Sequence, residues 1–205
     1  LLYGPPGGGK SLLARAVAGE LGVKFIPVGI SDILYMYLGV AEGNLHEIFQ
    51  LARQSAPCVL FLDELDALGQ KRSLTGNTAM LTTVNQLLTE MDGVADSNEG
   101  VFVLGATNQP WDIDSALRRP GRLDRTLLVL PPDEPGRRAI FAHHLKGRPI
   151  AGIDLSRCVA GTDGFSGADI AHACEGAAEL ALLDSVRSGE PRMIGQSDLD
   201  EALRQ

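Results

Sequence analysis

Near the start of the chain, Gly4-Pro5-Pro6-Gly7-Gly8-Gly9-Lys10-Ser11 satisfies the pattern G-x-x-x-x-G-K-[ST] at every fixed position. Backbone N–H groups wrap closely around an anion only where no Cβ holds them away, and glycine meets that condition. Lys10 adds a mobile positive charge for the outer phosphates and Ser11 a hydroxyl for Mg²⁺. The apolar series Leu12, Leu13, Ala16, Val17 then announces a helix whose N-terminal dipole faces the anion. A Gly/Pro surface turn has no use for a Lys-Ser pair leading into such a helix, so the segment reads as a phosphate cradle.

Further along, Val59-Leu60-Phe61-Leu62 is an apolar strand pattern ending in Asp63-Glu64. Asp63 is suited to orient Mg²⁺ through its water shell, and Glu64 to polarise an attacking water as a general base. Binding alone requires only the first acid. A second strand pattern, Val101 to Ala106, ends in Thr107-Asn108. The Asn108 amide can donate to and accept from a water beside a phosphate, although asparagine at a strand end also serves as a turn residue. The loop Leu117 to Arg125 carries Arg118, Arg119, Arg122 and Arg125. Such a run is either solvated surface or a source of guanidinium for transition-state charge, and spacing alone leaves both open.

These residues need a frame to hold them. The chain's 205 residues are 44% hydrophobic, enough for one large domain or one with a small companion. Short Val/Leu/Ile runs at Lys24–Val28, Cys58–Leu62, Val101–Ala106 and Thr126–Leu130 alternate with helical spacing at Lys10–Leu21, Asp32–Met36, Glu42–Gln54, Thr78–Met91 and near Ser115. That alternation predicts a parallel sheet covered on both faces, with ligands at the carboxyl ends of its strands. After Pro131-Pro132-Asp133-Glu134-Pro135 only helical patterns follow, at Gly136–Lys146, Asp154–Val159, Ser166–Val186 and Ser197–Arg204, which puts a domain boundary near residue 132.

Other function classes lose ground on composition. A net charge of −8 argues against a nucleic-acid binder, which needs a basic face. Cys58, Cys158 and Cys174 are odd in number and unclustered, so they read as reduced core residues without disulfide or zinc. The longest apolar runs fall far short of a bilayer span and no signal-like segment opens the chain, so a cytoplasmic location is expected. The opening Leu1-Leu2-Tyr3 already reads as a buried strand, which suggests a piece of a longer protein.

The phosphate cradle, FLDELDAL at Phe61 to Leu68, Ala106-Thr107-Asn108, ALRRPGRLDR at Ala116 to Arg125, and Gly164-Phe165-Ser166-Gly167-Ala168-Asp169-Ile170 stand in one order. Together they resemble the AAA family of AAA+ ATPases, from residue 1 to about 204. The resemblance implies a P-loop NTPase-type α/β subdomain over residues 1–132, a small all-α lid over 133–205, and ATP in the cleft between them. It assigns Lys10 and Ser11, with Gly4 to Gly9 and Leu12 around them, to Walker A. Asp63 and Glu64 become Walker B, Asn108 sensor 1, and Arg122 and Arg125 the arginine fingers that reach a neighbouring subunit's nucleotide. Arg118 and Arg119 match no finger. His144, following Arg137 and Ile140, takes the place bordering adenine, and Gly167 and Ala168 let a lid helix approach base and ribose. Tyr37 and Leu38 align with the first pore loop, which grips polypeptide.

The implied partners are further copies of the chain in a ring, expected to be a hexamer, and a protein substrate. An ATP-gated scaffold or assembly factor that threads nothing is the alternative. Gly8 stands where the family usually has Thr, Ser11 replaces the commoner Thr, and the helix from Thr78 lacks the paired basic residues of many members. His143-His144 does not form H-E-x-x-H, so these residues carry no zinc-protease signature.

Overall fold

The computed structural model describes residues 1–35, 41–68, 78–93 and 97–204. The chain divides into two units, Leu1–Gly4 with Gly9–Val129 and Pro5–Gly8 with Leu130–Gln205.

The first unit contains β1 (Leu2–Tyr3), α1 (Lys10–Glu20), β2 (Lys24–Gly29), α2 (Ile30–Tyr35), α3 (Ala41–Gln54) and β3 (Cys58–Asp63). It continues with α4 (Thr78–Asp92), β4 (Val101–Thr107), a 3₁₀ turn (Ser115–Arg118) and β5 (Leu127–Leu128). The strands form one sheet in the order β2-β3-β4-β1-β5, every pair parallel. Crossovers through helices produce that arrangement, and they leave β3 buried on both faces, as its run Cys58-Val59-Leu60-Phe61-Leu62 requires.

Alternate residues of the sheet serve two cores. Cys58, Leu60 and Leu62 pack with Ile30 and Ile33 of α2, Leu45 and Phe49 of α3, and Val84 and Leu87 of α4. Phe61 joins Leu2, Ala106 and Ala14 of α1 on the other face. The expected strand Thr126–Leu130 is shorter in the structure. Its ladder partner is β1, where Leu2 pairs with Leu127 and Tyr3 with Leu128, and a two-residue strand supports only a two-residue partner.

The order of strands matters for chemistry. β3, β4 and β1 are consecutive neighbours, so the chain leaves Tyr3, Asp63 and Thr107 at the same edge of the sheet.

The second unit is helical: α5 (Glu134–Leu145), α6 (Leu155–Ala160), α7 (Gly167–Ser188) and α8 (Gln196–Ala202). Local signals set its boundaries. Asp133 and Asp154 accept the first free N–H groups of α5 and α6. Ser166 and Asp169 form a reciprocal capping box on α7, which ends at Gly189 with φ +76°. Phe141, Leu145, Val159, Ile170, Cys174, Ala177 and Leu199 fill the core. One parallel bridge, Ile150 to Ile194, ties the segments around α7.

Candidate active site

Two adjacent residues of α1 join three strand tips. Lys10 Nζ donates to the Gly4 carbonyl at 3.1 Å and to Asn108 Oδ1 at 2.6 Å. Ser11 Oγ donates to Asp63 Oδ2 at 2.7 Å. Lys10 is buried, and that burial pushes its ammonium below the ordinary lysine value while Asp63 and Asp66 act in the opposite direction. Two glycines make the approach possible. A Cβ on Gly4, at φ +154°, would lie 2.2 Å from the Val129 carbonyl oxygen, and Gly9 enters α1 in the left-handed region at φ +86°.

The adjacent acids are set apart by the backbone. Asp63 is half-buried, and its Oδ1 accepts the Glu64 N–H at 2.9 Å while Oδ2 faces Ser11. Glu64 sits at φ +58°, the left-handed region, and is exposed. A residue with a Cβ pays roughly 1–2 kcal/mol for that conformation, which the surroundings must hold in place. They do so through Leu65, whose N–H donates to the Ala106 carbonyl at 3.0 Å and whose side chain is fully buried. Gly105 leaves the room for it: a Cβ there would lie 2.4 Å from Leu65 Cδ1.

Asn108 is held from beneath by a residue that sequence reading passed over. Asp66, 9% exposed, accepts the Thr107 hydroxyl at 2.7 Å and the Asn108 N–H at 3.4 Å. Thr107 Oγ1 accepts the Gln109 N–H at 3.0 Å, closing the turn. The third acid of Asp63-Glu64-Leu65-Asp66 was the available signal, but only the pairing of β3 with β4 reveals its partner.

The arginine loop is anchored by buried Leu117 and Leu123, joined by a 3.0 Å bond from the Leu123 N–H to the Leu117 carbonyl. Arg122 is engaged through all three guanidinium nitrogens. Nε and Nη2 meet Asp92 Oδ1 and Oδ2 at 2.7 and 2.6 Å, and Nη1 meets the Ala116 carbonyl at 2.7 Å. The hydrogen bonds of this pair move the Asp92 carboxyl below its ordinary range and Arg122 above its own. Asp92, the last residue of α4, had no sequence signal for that role. Arg118, Arg119 and Arg125 are exposed.

Of the remaining expected site residues, Leu12 is exposed, and Tyr37 and Leu38 lie outside the described residues. Pro5–Gly8, His144, Gly167 and Ala168 belong to the second unit. There, a Cβ on Gly7, at φ +71°, would fall 2.6 Å from Ser166 Oγ and 2.7 Å from Ala168 Cβ, so the small residues on both sides are a steric requirement. His144 is half-buried with the His143 ring edge-on at 5.3 Å. Cys58, Cys158 and Cys174 are buried free thiols.

The residues present fit a magnesium-bound nucleotide. Mg²⁺ takes one or two carboxylates and completes its shell with water and phosphate, a role open to Ser11 and Asp63, and Lys10 is a buried cation at a helix N-terminus.

Comparison with known proteins agrees. The model of the ATPase family associated with various cellular activities (AAA) matches residues 1–130, and that of the AAA+ lid domain matches residues 152–201. The chain is 44% identical to ATP-dependent zinc metalloprotease FtsH 3 of Symbiobacterium thermophilum, over 99% of this chain and 32% of that protein. It is 46% identical to ATP-dependent zinc metalloprotease FtsH of Ralstonia pickettii, over 99% and 28%, and 47% identical to that of Rubrobacter xylanophilus, over 99% and 31%. The chain thus spans about a third of the length of these relatives. With its sheet, its phosphate loop and both family models in agreement, the chain belongs to the AAA family of ATPases, which hydrolyse ATP with Mg²⁺.

Proposed function

We propose that this chain is the ATP-driven part of a ring-forming machine, a hexamer, that hydrolyses ATP at subunit interfaces and uses it to unfold or translocate a polypeptide. The observation that carries the reading is the convergence of three strand tips on Lys10 and Ser11, through Gly4, Asn108 and Asp63. In this reading Lys10 neutralises the outer phosphates, Gly4 to Gly9 and Leu12 surround them, and Ser11 and Asp63 hold Mg²⁺. Glu64 takes a proton from the attacking water, and Asn108, fixed by Asp66, orients that water. Arg122 and Arg125 complete a neighbour's site, and His144, Gly167 and Ala168 border the base and ribose. Tyr37 and Leu38 grip the substrate.

We further place the nucleotide-binding subdomain at residues 1–132 and the lid at 133–205. The named relatives are ATP-dependent zinc metalloproteases, and we assign this chain the delivery of unfolded polypeptide within such an assembly. The cytoplasm is the proposed location; no helix among the described residues is long and apolar enough to cross a membrane.

One observation favours a second reading, an ATP-gated scaffold. Arg122 is engaged by its own chain through Asp92 and Ala116. The ring reading requires Arg122 to exchange that carboxylate for a phosphate on the adjacent subunit. The test mixes full-length Lys10→Ala with full-length Arg122→Ala, each inactive alone. Mixed rings contain interfaces with an intact lysine on one side and an intact arginine on the other, so hydrolysis returns. No return, with native mass spectrometry showing mixed assemblies, places Arg122 in its own chain and supports the scaffold.

A further inference from the structure

Arg15 lies one turn beyond Ser11 on α1, and no role described above uses it. Its guanidinium carbon is 5.6 Å from the centroid of the Phe25 ring. Phe25 in turn stacks on Phe61, with centroids 5.6 Å apart and an interplanar angle of 28°. Phe61 is buried on β3 two residues before Asp63, so the strand that ends in Asp63 also carries the ring on which Phe25, the seat of the arginine, is stacked.

The same groups face one space. Ser11, Arg15, Phe25, Phe61, Asp63 and Glu64 line a cavity of about 450 Å³. Within it the charges are not yet matched. Among the described residues the Asp63 carboxylate is taken by Ser11 and the Glu64 N–H, whereas the Glu64 carboxylate and the Arg15 guanidinium have neither a hydrogen bond nor an ion pair. An arginine seated on an aromatic face keeps its N–H donors in the plane of its edge, available to a carboxylate. The Cα–Cβ bond of Arg15 tilts toward the N-terminus of α1, the end where Ser11 stands, while its guanidinium rests over Phe25. Glu64 is exposed on a left-handed backbone, and among the described residues lining this cavity Arg15 is the one cation that can select its rotamer.

We propose that Arg15 is a positioning residue for Glu64: seated on Phe25, it supplies the donors and charge that aim the Glu64 carboxylate across the cavity toward the Ser11–Asp63 side. The proposal rests on the reading of Glu64 as the group that polarises water. It assigns the Arg15–Phe25–Phe61 stack to catalysis and not only to the stability of the sheet face.

The test uses the full-length protein and single-turnover as well as steady-state ATP hydrolysis. Arg15→Gln lowers kcat about tenfold and leaves the KM for ATP within about twofold, because a displaced catalytic group costs rate and not ground-state binding. Arg15→Lys recovers part of the loss and Arg15→Met none. Adding Arg15→Gln to Glu64→Gln leaves the residual single-turnover rate within about twofold, since a group acting through Glu64 has nothing left to aim. An Arg15→Gln variant at the parental rate, a loss confined to KM, or the same fold loss in the Glu64→Gln background each overturns the proposal. Glu64→Gln at the parental rate overturns the Glu64 reading and the proposal with it. Arg15→Gln at full rate beside an inactive Glu64→Gln overturns the proposal alone.

Discussion

Two neighbouring carboxylates at the end of β3 hold different positions because the backbone treats them differently. Asp63 continues the strand and is drawn to Ser11, whereas Glu64 turns into the left-handed region and out to solvent. A carboxylate already committed to a hydroxyl is suited to a metal shell, and a free one to accepting a proton. Replacement of Glu64 by Gln keeps the shape and removes the basicity, so kcat falls by at least about 100-fold while MgATP affinity is retained. Turnover by that variant at the parental rate, measured beside nucleotide binding, would sink the assignment. Sequence alone marked Lys10, Ser11, Asp63 and Glu64 as candidates, because the pattern that cradles a phosphate and the acids that end a buried strand are both local, whereas Asn108 joined them only through the family resemblance. Asp66, Asp92 and Arg15 were passed over because each acquires its role from a partner on a different element: Thr107 across the sheet, Arg122 thirty positions away, and Phe25 beneath the helix.

The elements that form the helical unit are stabilised by charges at their ends. Asp198, 5% exposed in the first turn of α8, accepts the Gly195 N–H at 2.8 Å and a forked pair from Arg192 at 2.6 and 2.8 Å. The Arg192 guanidinium holds the Asp198 carboxyl below the ordinary carboxylate range, and the Gly195 N–H adds to the effect. A carboxyl depressed in the folded state adds stability that is fully present above its unfolded value, about 3.9, and is lost as pH falls through the folded one. Asp198→Asn therefore lowers the thermal midpoint by about 5 °C at pH 7, and the gap to the parent narrows below about pH 4. Calorimetry across that range checks it; a gap independent of pH would mean that the pair does not supply the charge linkage. Helical spacing placed these helices to within about two residues, and in the structure their limits fall at the capping residues Asp133, Asp154, Ser166 and Gly189. The limits of β5 were not legible in this way, because a strand's length depends on its partner.

Assembly is where the proposed work on a polypeptide belongs, and one residue separates threading from scaffolding. In the full-length protein, Tyr37→Ala reduces ATP-driven unfolding of a tagged folded substrate by at least about tenfold more than it reduces ATP turnover, because truncating an aromatic anchor removes grip. Equal losses in the two assays would remove the gripping role. By itself the sequence determined the fold class, the nucleotide chemistry and the order of the motifs, because periodicity, glycine placement and residue type act over a few neighbouring positions. Only the tertiary structure decided which residues share a task. Parallel pairing of β3 with β4 and of β4 with β1 brings Asp63, Asn108 and Gly4 to the two residues that open α1. The end of α4 commits Arg122 to Asp92. Both outcomes depend on contacts between segments far apart in the chain, where hydrogen-bond geometry and burial act only after the sheet has formed.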